Sequence, residues 1–231
     1  MDMTSRLSST LRLLATAALA LPGASAMARD QGDIRPMLES APAISFVYYH
    51  APPLFITTPA SVAGAGLMAA ATHSEQLPKG AELEKAFAIP DAGAEIAAQL
   101  TAVLTTATLA PKLHVEDHAH PRLWNKDPGT YHGETQDPFV LELFVEGKSA
   151  SYLPLKWRTY YYGISTRLRL IDVAQSKVIW EHHCNQSGLS GDAYKLKVDE
   201  FEANGGARLK QVAQAANDFC AHELGGLLAG S

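Results

Sequence analysis

Cysteine is scarce in this chain: Cys184 and Cys220 are the only two among its 231 residues. That excludes a scaffold knotted by several disulfides and a thiolate-rich zinc centre. No stretch reaches the ~20 apolar residues that cross a bilayer. The Ala/Gly-rich stretch 60–71 is short and only weakly apolar. Positive charge is not in excess either: 19 Lys and Arg stand against 24 Asp and Glu, a net charge of -5. This argues against nucleic acid or an anionic membrane surface as partner. No His-Glu-x-x-His, Gly-x-Ser-x-Gly, Ser-x-x-Lys or phosphate loop occurs. Gly64-Ala65-Gly66-Leu67-Met68-Ala69 matches a dinucleotide fingerprint in form only, since no parallel βαβ unit is expected after it. No catalytic residue is singled out, and the expectation is a protein that is not an enzyme.

The N-terminus has the three-part layout of a cleavable export signal. Arg6 and Arg12 are followed by the uncharged run Leu13-Leu14-Ala15-Thr16-Ala17-Ala18-Leu19-Ala20-Leu21, then Pro22-Gly23, then Ala24-Ser25-Ala26. Cleavage is expected after Ala26, with Ala28 as the competing site. Residues 1–26 therefore read as signal peptide, 27–43 as a flexible lead-in and 44–231 as one domain. No Cys lies near the cleavage site to carry a lipid, so the expectation is a soluble periplasmic protein. In that oxidising compartment Cys184 and Cys220 should pair. A nucleophilic Cys184 beside His182 or His183 is the competing reading, and the pairing makes it unnecessary.

Periodicity sets the expected elements. Ile44–His50 reads as a strand, and 54–58 as a second short one. Residues 60–90 read as irregular, with a short helix near 82–87. Asp91 offers an N-cap, and Ile96, Leu100, Val103, Leu104 and Ala107 space out an amphipathic helix over 92–109. Residues 111–137 read as a long loop. Phe139, Leu141, Leu143 and Val145 alternate along a strand, Gly147–Ala150 reads as a turn, and 157–173 as a long strand. There Tyr160, Tyr162, Ile164, Leu168 and Leu170 share a face. After a turn at 174–177, Val178–Cys184 returns. Residues 193–198 suggest an edge strand, and Asn204-Gly205-Gly206 precedes a closing helix. Leu209, Val212, Ala216, Phe219, Cys220 and Leu224 form its stripe, and Gly225-Gly226 its cap. The expected fold is α+β: a mainly antiparallel sheet, a meander of three or more strands, with two amphipathic helices packed on one face.

Two constellations could bind a ligand. His114, His118 and His120, with His132 after them in the His-rich 114–132 loop, could ligate zinc or copper. Trp157, Tyr160 and Tyr162, beside Arg158, could form an aromatic platform for sugars or peptides. The competing readings are a solvated polar loop and an ordinary core face. His182 and His183 point to opposite faces of a strand, so they do not chelate one ion.

The block Trp157-Arg158-Thr159-Tyr160-Tyr161-Tyr162, Arg167-Leu168-Arg169-Leu170-Ile171-Asp172-Val173 and Lys177-Val178-Ile179-Trp180 to Cys184 resembles one in a family of uncharacterised proteobacterial periplasmic envelope proteins. The stretch from Asn204-Gly205-Gly206 to Cys220 is similar to their closing helix. The hairpin is also similar to that of curli-secretion and peptidoglycan-synthase-activator lipoproteins. The resemblance implies an α+β fold used for protein contacts, without catalysis. The leading expectation is thus a periplasmic envelope accessory or interaction module whose partner is another envelope protein. The alternative is a periplasmic metal-binding protein using the histidine loop.

Overall fold

The computed structural model describes residues 32–57, 79–106, 110–115, 127–152, 156, 158–187, 191–201 and 203–229. It is α+β, built on a seven-stranded sheet. The strands are β1 (Ile44–Tyr48), β2 (Phe55–Ile56), β3 (Leu113–Val115), β4 (Phe139–Tyr152), β5 (Thr159–Asp172), β6 (Lys177–Gln186) and β7 (Lys195–Lys197). Their order is β3-β1-β4-β5-β6, with β2 also beside β4 and β7 beside β5. β4, β5 and β6 form the expected antiparallel meander. β1 lies parallel to both β3 and β4, and β2 is parallel to β4. The sheet is therefore mixed and not purely antiparallel: its long pairings are antiparallel, and its short strands β1, β2 and β3 bring the parallel ones. Short turns force neighbouring strands to reverse, whereas β1 reaches β3 through helical residues 79–86 and a second helix, and such a crossover returns the chain in the same direction.

The α-helices α1 (Arg35–Ser40), α2 (Ala92–Thr106) and α3 (Ala207–Ala229) complete the fold. Asp91 caps α2: its Oδ1 accepts from the Ala94 amide at 3.0 Å while its Oδ2 accepts from the Ala51 amide at 3.0 Å. One carboxylate thus satisfies an open helix donor and ties α2 to the segment after β1. Asn204, Gly205 and Gly206 all have positive φ and turn the chain into α3.

Several local expectations are corrected. The expected lead-in contains α1, and Ile34 and Leu38 within it are buried. Residues 111–137 contain β3 and a 3-10 helix over Pro128–Gly133, with Tyr131 buried. Gly147–Ala150 is no turn. β4 runs through it with a bulge between Val145 and Gly147. The extra residue flips the pleat, so Leu141, Leu143 and Val145 face the helices before it, and Ala150 and Tyr152 join the same core after it. Gly225-Gly226 does not end α3, which continues to Ala229. A Cβ on Gly225 would lie 3.3 Å from Val103 Cγ2, so the glycine admits α2 close to α3. Phe219 leaves the buried stripe and is 40% exposed.

The main core lies between one sheet face and the helices. It joins Leu141, Leu143, Leu168 and Leu170 to Ile96 and Leu100 of α2 and to Leu209, Val212 and Leu224 of α3. Cys184 of β6 and Cys220 of α3 are disulfide-bonded, with Cα atoms 5.6 Å apart and both residues fully buried. The bridge fastens α3 across the meander.

Candidate functional site

The other sheet face carries charge. Alternation along β4 and β5 sends Val140, Glu142 and Phe144, and Arg167, Arg169 and Ile171, away from the helices. The register places Glu142 beside Arg169 and Phe144 beside Arg167; Arg169 in turn faces Glu181 of β6, and Arg167 faces His183. No described α-helix covers this face. A small apolar cluster of Val47, Tyr131, Val140, Ile171 and Val173 seals one end of it.

Tyr131, from the 3-10 helix, anchors the inner part. Its hydroxyl donates to Glu142 Oε1 at 2.8 Å and lies 2.7 Å from the Tyr49 hydroxyl. Arg169 Nε donates to Glu142 Oε2, and both residues are buried. Burial, then the Glu142 charge, pushes the Tyr131 phenol well above its ordinary value. Burial also raises Tyr49. Both phenols therefore stay protonated and act as donors. Burial opposes the Arg169 charge, but the hydrogen bond and the charge of Glu142 outweigh it, so the guanidinium is held charged. A buried carboxylate with these donors is neutralised by its neighbours. Its role is to clamp the 3-10 helix to the sheet.

Further along, the charges reach solvent. Arg167 lies 5.4 Å from the Phe144 ring centroid, and its nitrogens approach Glu146 at 3.8 Å and Glu181 at 4.0 Å. His183 sits between the same carboxylates, with Nδ1 3.3 Å from Glu146 and Nε2 3.1 Å from Glu181. Side-chain exposure is 14% for Arg167, 30% for Glu146, 32% for Glu181 and 34% for His183. Glu146 also accepts from Ser165 Oγ at 2.9 Å, so the two carboxylates and His183 are joined by hydrogen bonds, while Arg167 meets them at ion-pair distance.

The sequence candidates fare differently. Tyr160 and Tyr162 are buried in the main core, Tyr160 edge-on to Tyr152 and Phe201 with centroids 5.5 and 4.8 Å away. They form no exposed platform, because their face of β5 is the one the helices cover. Trp157 lies outside the described residues. His182 and His183 do point to opposite faces, His182 meeting Glu223 at 3.0 Å on the helix side.

Of the histidine-loop candidates, His118 and His120 lie outside the described residues. His132 is exposed on the 3-10 helix. His114 is on β3, its side chain 67% exposed, with Nδ1 2.6 Å from Asp137 Oδ2. Asp137 Oδ2 also accepts from Ser45 Oγ at 2.7 Å. The aspartate fixes the imidazole and turns Nε2 away from itself, while Ser45 is bonded to the carboxylate and not to the imidazole. This is not a Ser–His–Asp relay, in which the imidazole lies between the other two. Among the described residues, no group of three or more His, Cys, Asp or Glu is arranged to hold a metal ion.

The residues that matter here, Tyr131, Glu142, Glu146, Arg167, Arg169 and Glu181, were not singled out from sequence. One signal could have found four of them. Glu142, Phe144 and Glu146 share one parity of β4, and Arg167 and Arg169 share one parity of β5.

No protein-family model and no curated protein sequence matches the chain. Among solved structures it is similar to the PelC dodecamer from Paraburkholderia phytofirmans, at 16% identity over 82% of this chain and 89% of that one, TM-score 0.33. It is also similar to a lipoprotein from Neisseria meningitidis, at 17% identity over 78% of this chain and 99% of that one, TM-score 0.25. The LpoB C-terminal domain from Escherichia coli is a third, at 13% identity over 68% and 97%, TM-score 0.23. None of these likenesses is close enough to transfer a role, a ligand or a partner. Among the described residues no helix is long and apolar enough to cross a membrane.

Proposed function

We propose that this chain is an exported, non-enzymatic module of the bacterial envelope, and that it binds another envelope protein through the sheet face opposite its helices. The observation that carries this reading is the pre-ordered array of Glu146, Arg167, Glu181 and His183 beside Phe144. Side chains already held in place lose little freedom on binding, which lowers the cost of association. Phe144 is itself buried and supports Arg167 from beneath, so the accessible groups of the array are the charged ones and the imidazole. The inner Glu142 cluster supports a non-catalytic role, because its carboxylate already accepts from Arg169 and Tyr131.

The test is a photo-crosslinking amino acid at position 132 or 183, in cells that export the protein, with exposed position 102 on α2 as control. A discrete adduct from 132 and 183, absent from 102, is expected; its mass separates a different protein from a second copy. Equal labelling at all three positions, or no adduct from the sheet face, refutes the reading.

One observation favours a second reading, a metal-binding protein. A carboxylate on one imidazole nitrogen is how proteins orient a histidine ligand, and Asp137 does this to His114. Calorimetry with zinc and with copper tests it. Uptake that falls on His114→Ala and on His118→Ala is expected, and no uptake eliminates it.

A further inference from the structure

We propose that a second copy of this chain adds to the outer edge of β6, with the two β6 strands antiparallel about a twofold axis at His182. This goes beyond the reading above and does not rest on it. β6 ends the strand order on its side of the sheet, and no described strand lies outside Glu181–Asn185. Strand edges are commonly protected by charged side chains, lysine above all, by proline or by a bulge. This stretch has no lysine or proline, its one carboxylate, Glu181, is engaged by His183, and the irregularity in the β5–β6 pairing lies before it, between Trp180 and Val178.

The side chains select the register. With the axis at His182, Glu181 of each copy faces His183 of the other. Facing residues of an antiparallel pair lie on the same side of the sheet, within reach of one another. Each copy already engages both ring nitrogens of His183, Nε2 with Glu181 at 3.1 Å and Nδ1 with Glu146 at 3.3 Å, so in the dimer the partner's Glu181 takes the place of Glu146 and the two Glu181 carboxylates alternate with the two imidazoles in a ring. Moving the axis to His183 would lose both carboxylate–imidazole pairs, whereas the axis at His182 sets the two His182 side chains opposite each other on the helix side, each beside its own Glu223. A patch that complements itself is what a twofold contact requires.

The helix side agrees. Glu223 of α3 reaches His182 at 3.0 Å, so that flank of α3 overlooks β6. Phe219 is one turn earlier on the same flank and is 40% exposed. The twofold brings the Phe219 side chains of the two copies toward each other above the joined edges, giving the contact an apolar element.

Sedimentation of the oxidised, exported protein across the micromolar range tests the proposal. The wild type should sediment at twice the monomer mass. Glu181→Lys and His183→Glu should each weaken self-association roughly tenfold or more. Mixed in equal amounts, the two variants should recover the dimer, because the new lysine of one chain meets the new glutamate of the other and the remaining wild-type pair is intact. That recovery separates a contact between chains from a folding defect, since neither variant restores a complementary pair within its own chain. Unchanged far-ultraviolet dichroism and melting show that the variants fold. A wild type that stays monomeric overturns the proposal, whether the edge is covered by this chain's own residues or kept for a different protein. So does a dimer that both variants retain, or a mixture that stays monomeric.

Discussion

Removing the Cys184–Cys220 bridge is the perturbation whose size follows most directly from the structure. Its half-cystines are 36 residues apart in sequence. In the chain-entropy account, releasing a loop of that size returns about 4 kcal/mol of freedom to the unfolded chain at 25 °C. For a chain of this length that corresponds to a fall of about 10 °C in melting temperature. The double variant Cys184→Ala/Cys220→Ala is the right comparison, because two serines would bury hydroxyls where the half-cystines are fully enclosed. Urea unfolding followed by tryptophan fluorescence is the assay, with an expected midpoint shift of about 1.5 M. Since the cross-link acts on the unfolded ensemble, the steepness of the transition should also increase in the variant, whose denatured chain exposes more surface. A loss below about 1 kcal/mol with unchanged steepness would refute the argument, and would mean that the bridge joins parts the chain holds together without it.

The buried pair offers a second test: Glu142→Leu should cost about 3–5 kcal/mol, because Arg169 loses its carboxylate in a buried setting. Adding Arg169→Leu should recover much of that in urea titrations; a double variant as unstable as the single one contradicts the pairing. Alkaline pH should destabilise the fold. Tyr49 and Tyr131 hold their protons more tightly folded than at their ordinary value of 10.0, so their contribution is complete below that pH and is lost as pH rises beyond it. Urea midpoints measured on either side of that pH should fall at the alkaline end, and Tyr131→Phe should flatten the fall; an unchanged slope counts against the assignment. Gly93→Ala should destabilise by ~1–3 kcal/mol although alanine favours helices, since the new Cβ would come 2.2 Å from the Tyr49 carbonyl oxygen. A raised melting temperature would show that the start of α2 can shift.

Sequence by itself determined what depends on neighbours along the chain. Alternation drew β5 and β6 and the first part of β4. Steps of three and four drew α2 and α3, and two cysteines left one partner each. Only the tertiary structure decided what depends on distant segments. The parallel pairing of β1 with β3 and β4 follows from a helical crossover, and periodicity carries no sign of strand direction. The β4 bulge reversed which side chains face the helices beyond Val145, because one inserted residue shifts a period of two by half a cycle. Tyr160 and Tyr162 became core because the helices cover their face of the sheet. Glu142 and Arg169 became a buried pair because Tyr131, from another segment, closes over them.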